Sequence, residues 1–387
     1  MSKPTSKFLL ILGIILISIN LRTSIASVGP LIPFIREDLG ISNGLAGFLT
    51  TLSLITFAVF SLFAPSLGKK LGHGKAIFLG ISLLSIGVVI RVLGGIELLY
   101  LGTALTGIGI VTANVLMIPF FKARIPEQIG LMTALLSTGM SLFAAIASGV
   151  SVPLAVDLGL GWRGSLVSWV VLMVLALIVW IPQLKPQATQ QSGSIKPAKN
   201  VWKSLLAWQV TLFMGAQSVM YFTMITWLPD MLIARGMSPI NAGIALSYMQ
   251  LISLIGTFFA PNLLMRLKQQ SGVVLIVGIG YLVGYGSLFI TNEIVTFAAL
   301  TIIGIGSGAS LSIAYTLISM RTAEDLTTAK LSGMVQSAGY VLAALGPLVF
   351  GISLDLFDNW NILIWFLLAM TVQFIAFGWP AGRDKKI

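Results

Sequence analysis

The chain has 387 residues, 57% of them hydrophobic and 9% charged, with a mean hydropathy of +0.99 and a formal net charge of +11. A soluble domain carries about 25% charged residues, so the composition excludes one and indicates a polytopic membrane protein. Cysteine is absent, which removes disulfides, thiol chemistry and cysteine-type metal sites.

Twelve apolar runs are long enough to cross about 30 Å of hydrocarbon. In chain order they cover 7–34, 44–67, 75–94, 98–120, 129–154, 164–183, 204–228, 241–265, 272–291, 294–318, 329–353 and 361–380. The first follows Lys3 and Lys7 but is too long for the apolar core of a signal peptide. Near its midpoint stands Asn20-Leu21-Arg22. Arg22 is the only charge expected inside a span, with no acid in the same run to neutralise it. An arginine retained in hydrocarbon is costly, and it marks a protein-lined cavity that binds something. Its five donors in a fixed fork suit planar oxyanions. The competing role is structural, tying up the carbonyls of broken helices. Asn20 turns to a different helix face, where a bond to an adjacent helix competes with substrate contact.

Spans four and five add Asn114, in the cytoplasmic third of its run, and Ser137, Thr138 and Ser141. Hydroxyls at such positions often bond back to their own helix. Between spans six and seven lies a polar cytoplasmic linker, 184–203, which separates an amino-terminal half, 1–183, from a carboxy-terminal half, 204–387. Span seven carries Gln217 and Tyr221, span eight Gln250, span ten Tyr315, and span eleven Gln336 and Tyr340. The pairs Gln217–Tyr221 and Gln336–Tyr340 are spaced i,i+4, so each occupies one helix face.

The loop cations set the orientation. With the amino terminus and the even-numbered loops cytoplasmic, that side holds eighteen Lys and Arg; the other holds only Arg36, Arg91, Arg163 and Arg235. Both termini are therefore expected in the cytoplasm of a cell-membrane protein. Cations scattered over short loops serve topology and anionic headgroups, not nucleic acid.

The halves repeat. At an offset of 196, Pro33, Gly40, Ser42, Ala46 and Gly47 match Pro229, Gly236, Ser238, Ala242 and Gly243, and Phe63-Ala64-Pro65 matches Phe259-Ala260-Pro261. Gly107-Ile108-Gly109 and Gly304-Ile305-Gly306 match at 197, and Asp157 and Trp162 match Asp355 and Trp360 at 198. Parallel repeats of six helices suit alternating access around a midplane site. The Gly-Ile-Gly pairs lie inside apolar helices with no flanking strand, so they indicate close packing and not a phosphate loop.

Twelve spans in two six-helix halves around a cytoplasmic loop resemble the major facilitator superfamily. After span two the chain reads Gly68-Lys69-Lys70-Leu71-Gly72, where that superfamily carries a Gly-x-x-x-Asp-Arg-x-Gly-Arg-Arg-like motif; Lys69 stands at the acidic position. Asn20-Leu21-Arg22 followed by Gly29-Pro30 resembles the cyanate and nitroimidazole transporter branch. The resemblance implies an all-α fold of two pseudo-symmetric six-helix bundles. It also implies a cavity lined by spans one, four, seven and ten, with parts of two, five, eight and eleven. The expected substrate-binding set is then Arg22, Asn20, Gln217, Tyr221, Gln250, Gln336, Tyr340, Asn114, Ser141 and Tyr315.

No Asp or Glu is expected within a span, which leaves no intramembrane carboxylate to relay protons. His73, the only histidine, falls in a cytoplasmic loop. There is no Walker-type motif, so no cofactor or ATP is expected, and no catalytic constellation supports an enzyme. The reading is a monomeric transporter of a small anion or weak acid. Efflux of small nitroheterocycles is the alternative.

Overall fold

The computed structural model describes residues 4–184, 200–322 and 325–387; of the expected linker, 185–199 lie outside the described residues. The chain is all-α, with no strand among the described residues. Among the described residues eleven helical segments are long and apolar enough to cross a membrane, and a shorter apolar helix, Ser271–Ser287, falls on the expected ninth span. Two compact units emerge, one of residues 1–41 with 52–192, the other of 42–51 with 193–387.

The first unit begins with α1 (Pro4–Ala26), which passes through a 3-10 turn at Gly29–Leu31 into α2 (Ile32–Leu39). Gly40, at φ +60°, ends α2 in the left-handed conformation that glycine adopts without penalty. The later part of α3 (Asn43–Phe60), α4 (Ala64–Leu71), α5 (His73–Ile90), α6 (Ile96–Arg124), α7 (Ile129–Val156), α8 (Gly161–Ser168) and α9 (Val170–Trp180) complete it. α5 and α6 meet on glycines spaced seven apart. A Cβ on Gly109 would lie 2.5 Å from Gly80 O, and one on Gly87 would lie 2.7 Å from Gly102 O. In lipid such small-residue seams let backbones approach, and dispersion replaces the missing hydrophobic force. α1 is held to α7 by Ser148 Oγ donating to Ala26 O (3.1 Å). Buried Trp180, at the end of α9, donates from Nε1 to Gly74 O on α5 (3.0 Å).

The second unit contains α10 (Leu205–Ala234), α11 (Pro239–Met265), α12 (Ser271–Ser287), α13 (Glu293–Met320), α14 (Asp325–Phe357) and α15 (Asn361–Ala381). Side chains cap its helices: Ser204 accepts from Ala207 N, Ser238 from Asn241 N, and Asn292 from Ile294 N and Val295 N. The opening turns of α3 belong here as well. Asp355 Oδ1 accepts from Asn43 N (2.8 Å) and Asn43 Nδ2 (2.8 Å), and Oδ2 from Gly44 N (2.7 Å). Gly351 lies so close that its Cβ would be 2.5 Å from Asn43 O. Trp227 Nε1 closes the cluster on Pro347 O (2.9 Å). The expectation for the Gly-Ile-Gly segments holds: a Cβ on Gly304 would meet Met249 O at 2.6 Å, and one on Gly306 would meet the Tyr281 ring at 3.0 Å.

Span seven runs past its expected end at residue 228, because α10 continues to Ala234 and carries Asp230, only 4% exposed. The expectation that spans contain no acid is thereby corrected. A hydropathy reading stops at the first charge, whereas the helix continues wherever packing covers the side chain.

Candidate functional site

In the first unit Arg22 is partly exposed, while Leu21 and residues 23–27 are buried around it. It lies seven residues after Ile15, which is also partly exposed, whereas Ile14, Ile17 and Ser18 are buried. The spacing puts Arg22 on the one accessible face of α1. Its guanidinium forms no hydrogen bond or ion pair with any described residue.

Asn20 faces elsewhere. It is fully buried, and its Nδ2 donates to Leu16 O (2.7 Å) and to Leu172 O on α9 (3.1 Å). These bonds orient α1 against α9. Asn114 and Ser141 are partly exposed, with no hydrogen bond to a described residue, and none joins either to Arg22. Ser137 bonds back to Thr133 O (2.9 Å).

In the second unit Gln217 is buried, and its Oε1 accepts from Ser218 Oγ (3.2 Å). Tyr221, one turn later, is partly exposed and packs edge-on against Phe222. Gln250 is buried, and its backbone carbonyl accepts from Ser253 Oγ (2.6 Å). Gln336 is partly exposed and donates from Nε2 to Ser332 Oγ (3.0 Å). Tyr340 is partly exposed and Tyr315 is 44% exposed. Gln217 and Gln336 thus each bond a serine on their own helix, α10 and α14 respectively.

Two buried arginines escaped the sequence reading. Arg91, expected in an outer loop, is 1% exposed at the end of α5 and donates from Nη1 to Ser24 O (2.9 Å). Arg22 is therefore not the only charge taken inside. Apolar residues continue past Arg91 through Val92 and Leu93, a signal that could have placed it. Arg321, expected in a cytoplasmic loop, is also 1% exposed. It donates from Nε to Ala381 O (2.9 Å) and from Nη2 to Gln270 Oε1, joining α13, α12 and α15. No group of three or more His, Cys, Asp or Glu among the described residues could hold a metal.

Residues 10–347 match the family model described as Major Facilitator Superfamily. The chain is 44% identical to an uncharacterized transporter, YycB, of Bacillus subtilis over 387 residues, covering 100% of this chain and 96% of that one. It is 35% identical to the 2-nitroimidazole transporter of Escherichia coli, covering 99% and 97%. To the cyanate transport protein CynX of Escherichia coli it is 26% identical, covering 91% of each. Among solved structures the D-xylose-proton symporter superposes with a TM-score of 0.78 at 16% identity, covering 100% of both chains. A bacterial homologue of the human lysosomal transporter Spinster gives 0.79 at 18%, covering 98% and 97%. These two likenesses concern the fold alone.

Proposed function

Because the chain belongs to the Major Facilitator Superfamily and is thus a multi-pass membrane transporter of small molecules, we propose that it carries a small anion or weak acid bound at Arg22. The observation that carries this is the Arg22 guanidinium, partly exposed within α1 and without a partner among the described residues. Relatives named for cyanate and for 2-nitroimidazole support a compact, electron-rich substrate. Gln217, Tyr221, Gln250, Gln336, Tyr340, Asn114, Ser141 and Tyr315 are proposed as polar contacts, and Asn20 as the residue that sets the rotation of α1. The proposal includes two six-helix halves working by alternating access, with both termini in the cytoplasm.

Uptake of labelled cyanate and 2-nitroimidazole into proteoliposomes tests it, with wild type, Arg22→Ala and Arg22→Lys compared. A unit charge pair at 4 Å is worth about 4 kcal/mol at an effective dielectric of 20. Arg22→Ala is expected to lower uptake by roughly 100-fold or more, and Arg22→Lys to retain part of it. Undiminished transport by Arg22→Ala would remove the arginine from the site. The second reading, efflux of nitroheterocycles, rests on the 35% identical relative. It predicts resistance on overexpression and sensitivity on deletion.

A further inference from the structure

On the side of α1 away from Arg22 runs a polar stripe of Asn20, Thr23, Ser24 and Ser27, each no more than 1% exposed. Their spacing of three and four places them on one helix face, about half a turn from Arg22. Ser24 Oγ bonds to Asn20 O (3.1 Å), but Thr23 Oγ1, Ser27 Oγ and Asn20 Oδ1 are buried without any partner. Into this stripe reaches Arg91, whose Nη1 is 2.9 Å from Ser24 O. Its Nε and Nη2 are buried and have no acceptor. Thr106 Oγ1, also unpartnered, flanks the same helix seam: it lies 2.7 Å from the Cβ position of Gly87, one turn before Arg91 on α5.

A guanidinium sealed from water needs compensation, since burial strips the charge of its hydration. The carboxy-terminal ends of α1 and α5 supply some negative potential. Ser24 O, at the end of α1, takes one donor. That accounts for Nη1 and leaves two nitrogens unmet, with no carboxylate bonded to them. Three unpartnered hydroxyls lie within a helix turn of that contact along the chain or across the seam: Thr23 and Ser27 flank Ser24 on its stripe, and Thr106 meets α5 one turn before Arg91. Unmet donors beside a buried cation without a counter-ion call for an acceptor, and a small anion supplies one.

We propose that Arg91, with Thr23, Ser27 and Thr106, binds a small monovalent anion of chloride size inside the first unit, separate from the site at Arg22. The anion neutralises Arg91 and fixes α1 against the α5–α6 pair. It stays in place while substrate is carried on the opposite face of α1. This site does not depend on what Arg22 binds.

The test is thermal unfolding of the purified full-length protein as sodium gluconate is replaced by sodium chloride at constant ionic strength. Wild type and Arg22→Gln are both expected to show a saturable rise, on the order of 2 °C at tenfold above half-saturation. Arg91→Gln is expected to lose it. Should that variant not fold, Thr106→Val keeps the charge and removes one hydroxyl, and half-saturating chloride is expected to rise about fivefold. A wild-type melting temperature indifferent to chloride would overturn the proposal, as would an unchanged response in Arg91→Gln or Thr106→Val. Loss of the response in Arg22→Gln would assign the chloride to the Arg22 site and overturn it equally.

Discussion

Replacing Gly109 by alanine is expected to pry α5 from α6. The added methyl would sit 2.5 Å from Gly80 O and 2.5 Å from Leu84 N. Both are backbone atoms of a packed helix, so no rotamer change can relieve the contact, and ordinary separation requires the helices to part by roughly 1 Å. Overpacking of this kind costs about 1–3 kcal/mol. Alanine's better helix propensity returns at most about 1 kcal/mol. The net is a loss of about 1–2 kcal/mol, read as a drop of about 1–3 °C in the apparent melting temperature in detergent. Gly286→Ala, on α12, is the control: nothing lies within 4 Å of its Cβ position, so it should hold or raise the melting temperature. If Gly109→Ala is as stable as Gly286→Ala, the seam is not a close-packed contact and the reasoning fails.

Two further outcomes follow from single contacts. Asp355→Ala removes three hydrogen bonds at the start of α3 and should cost about 1–2 kcal/mol, as loss of a helix cap does; Asp355→Asn, which keeps one acceptor, should cost less in the same melting assay. Tyr281→Phe deletes the buried bond to Ser310 Oγ (2.9 Å) while Ser310 keeps its bond to Ser307 O. A loss near 1 kcal/mol is expected, and no measurable change would mean the hydroxyl is not bonded there.

The number and order of the apolar spans could be read from the sequence because membrane crossing is a property of local hydropathy and length. The glycine pairs at 107–109 and 304–306 could be read as packing points, since no strand or turn surrounds them. Arg22 stood out because it interrupts a long run near its middle. Asp230 and Arg91 did not stand out, because a charge close to the end of a run looks the same whether the helix stops there or continues under cover.

The sequence by itself determined the membrane class, the twelve apolar segments and the internal repeat. Each of these is written in consecutive residues or in fixed offsets. Only the tertiary structure decided which charges are inside and which polar atoms remain unmet. Ser24 lies 67 positions from Arg91, and Asp355 lies 312 from Asn43. Burial of a charge is a property of everything packed around it, and those neighbours are brought together only when the helices fold against one another.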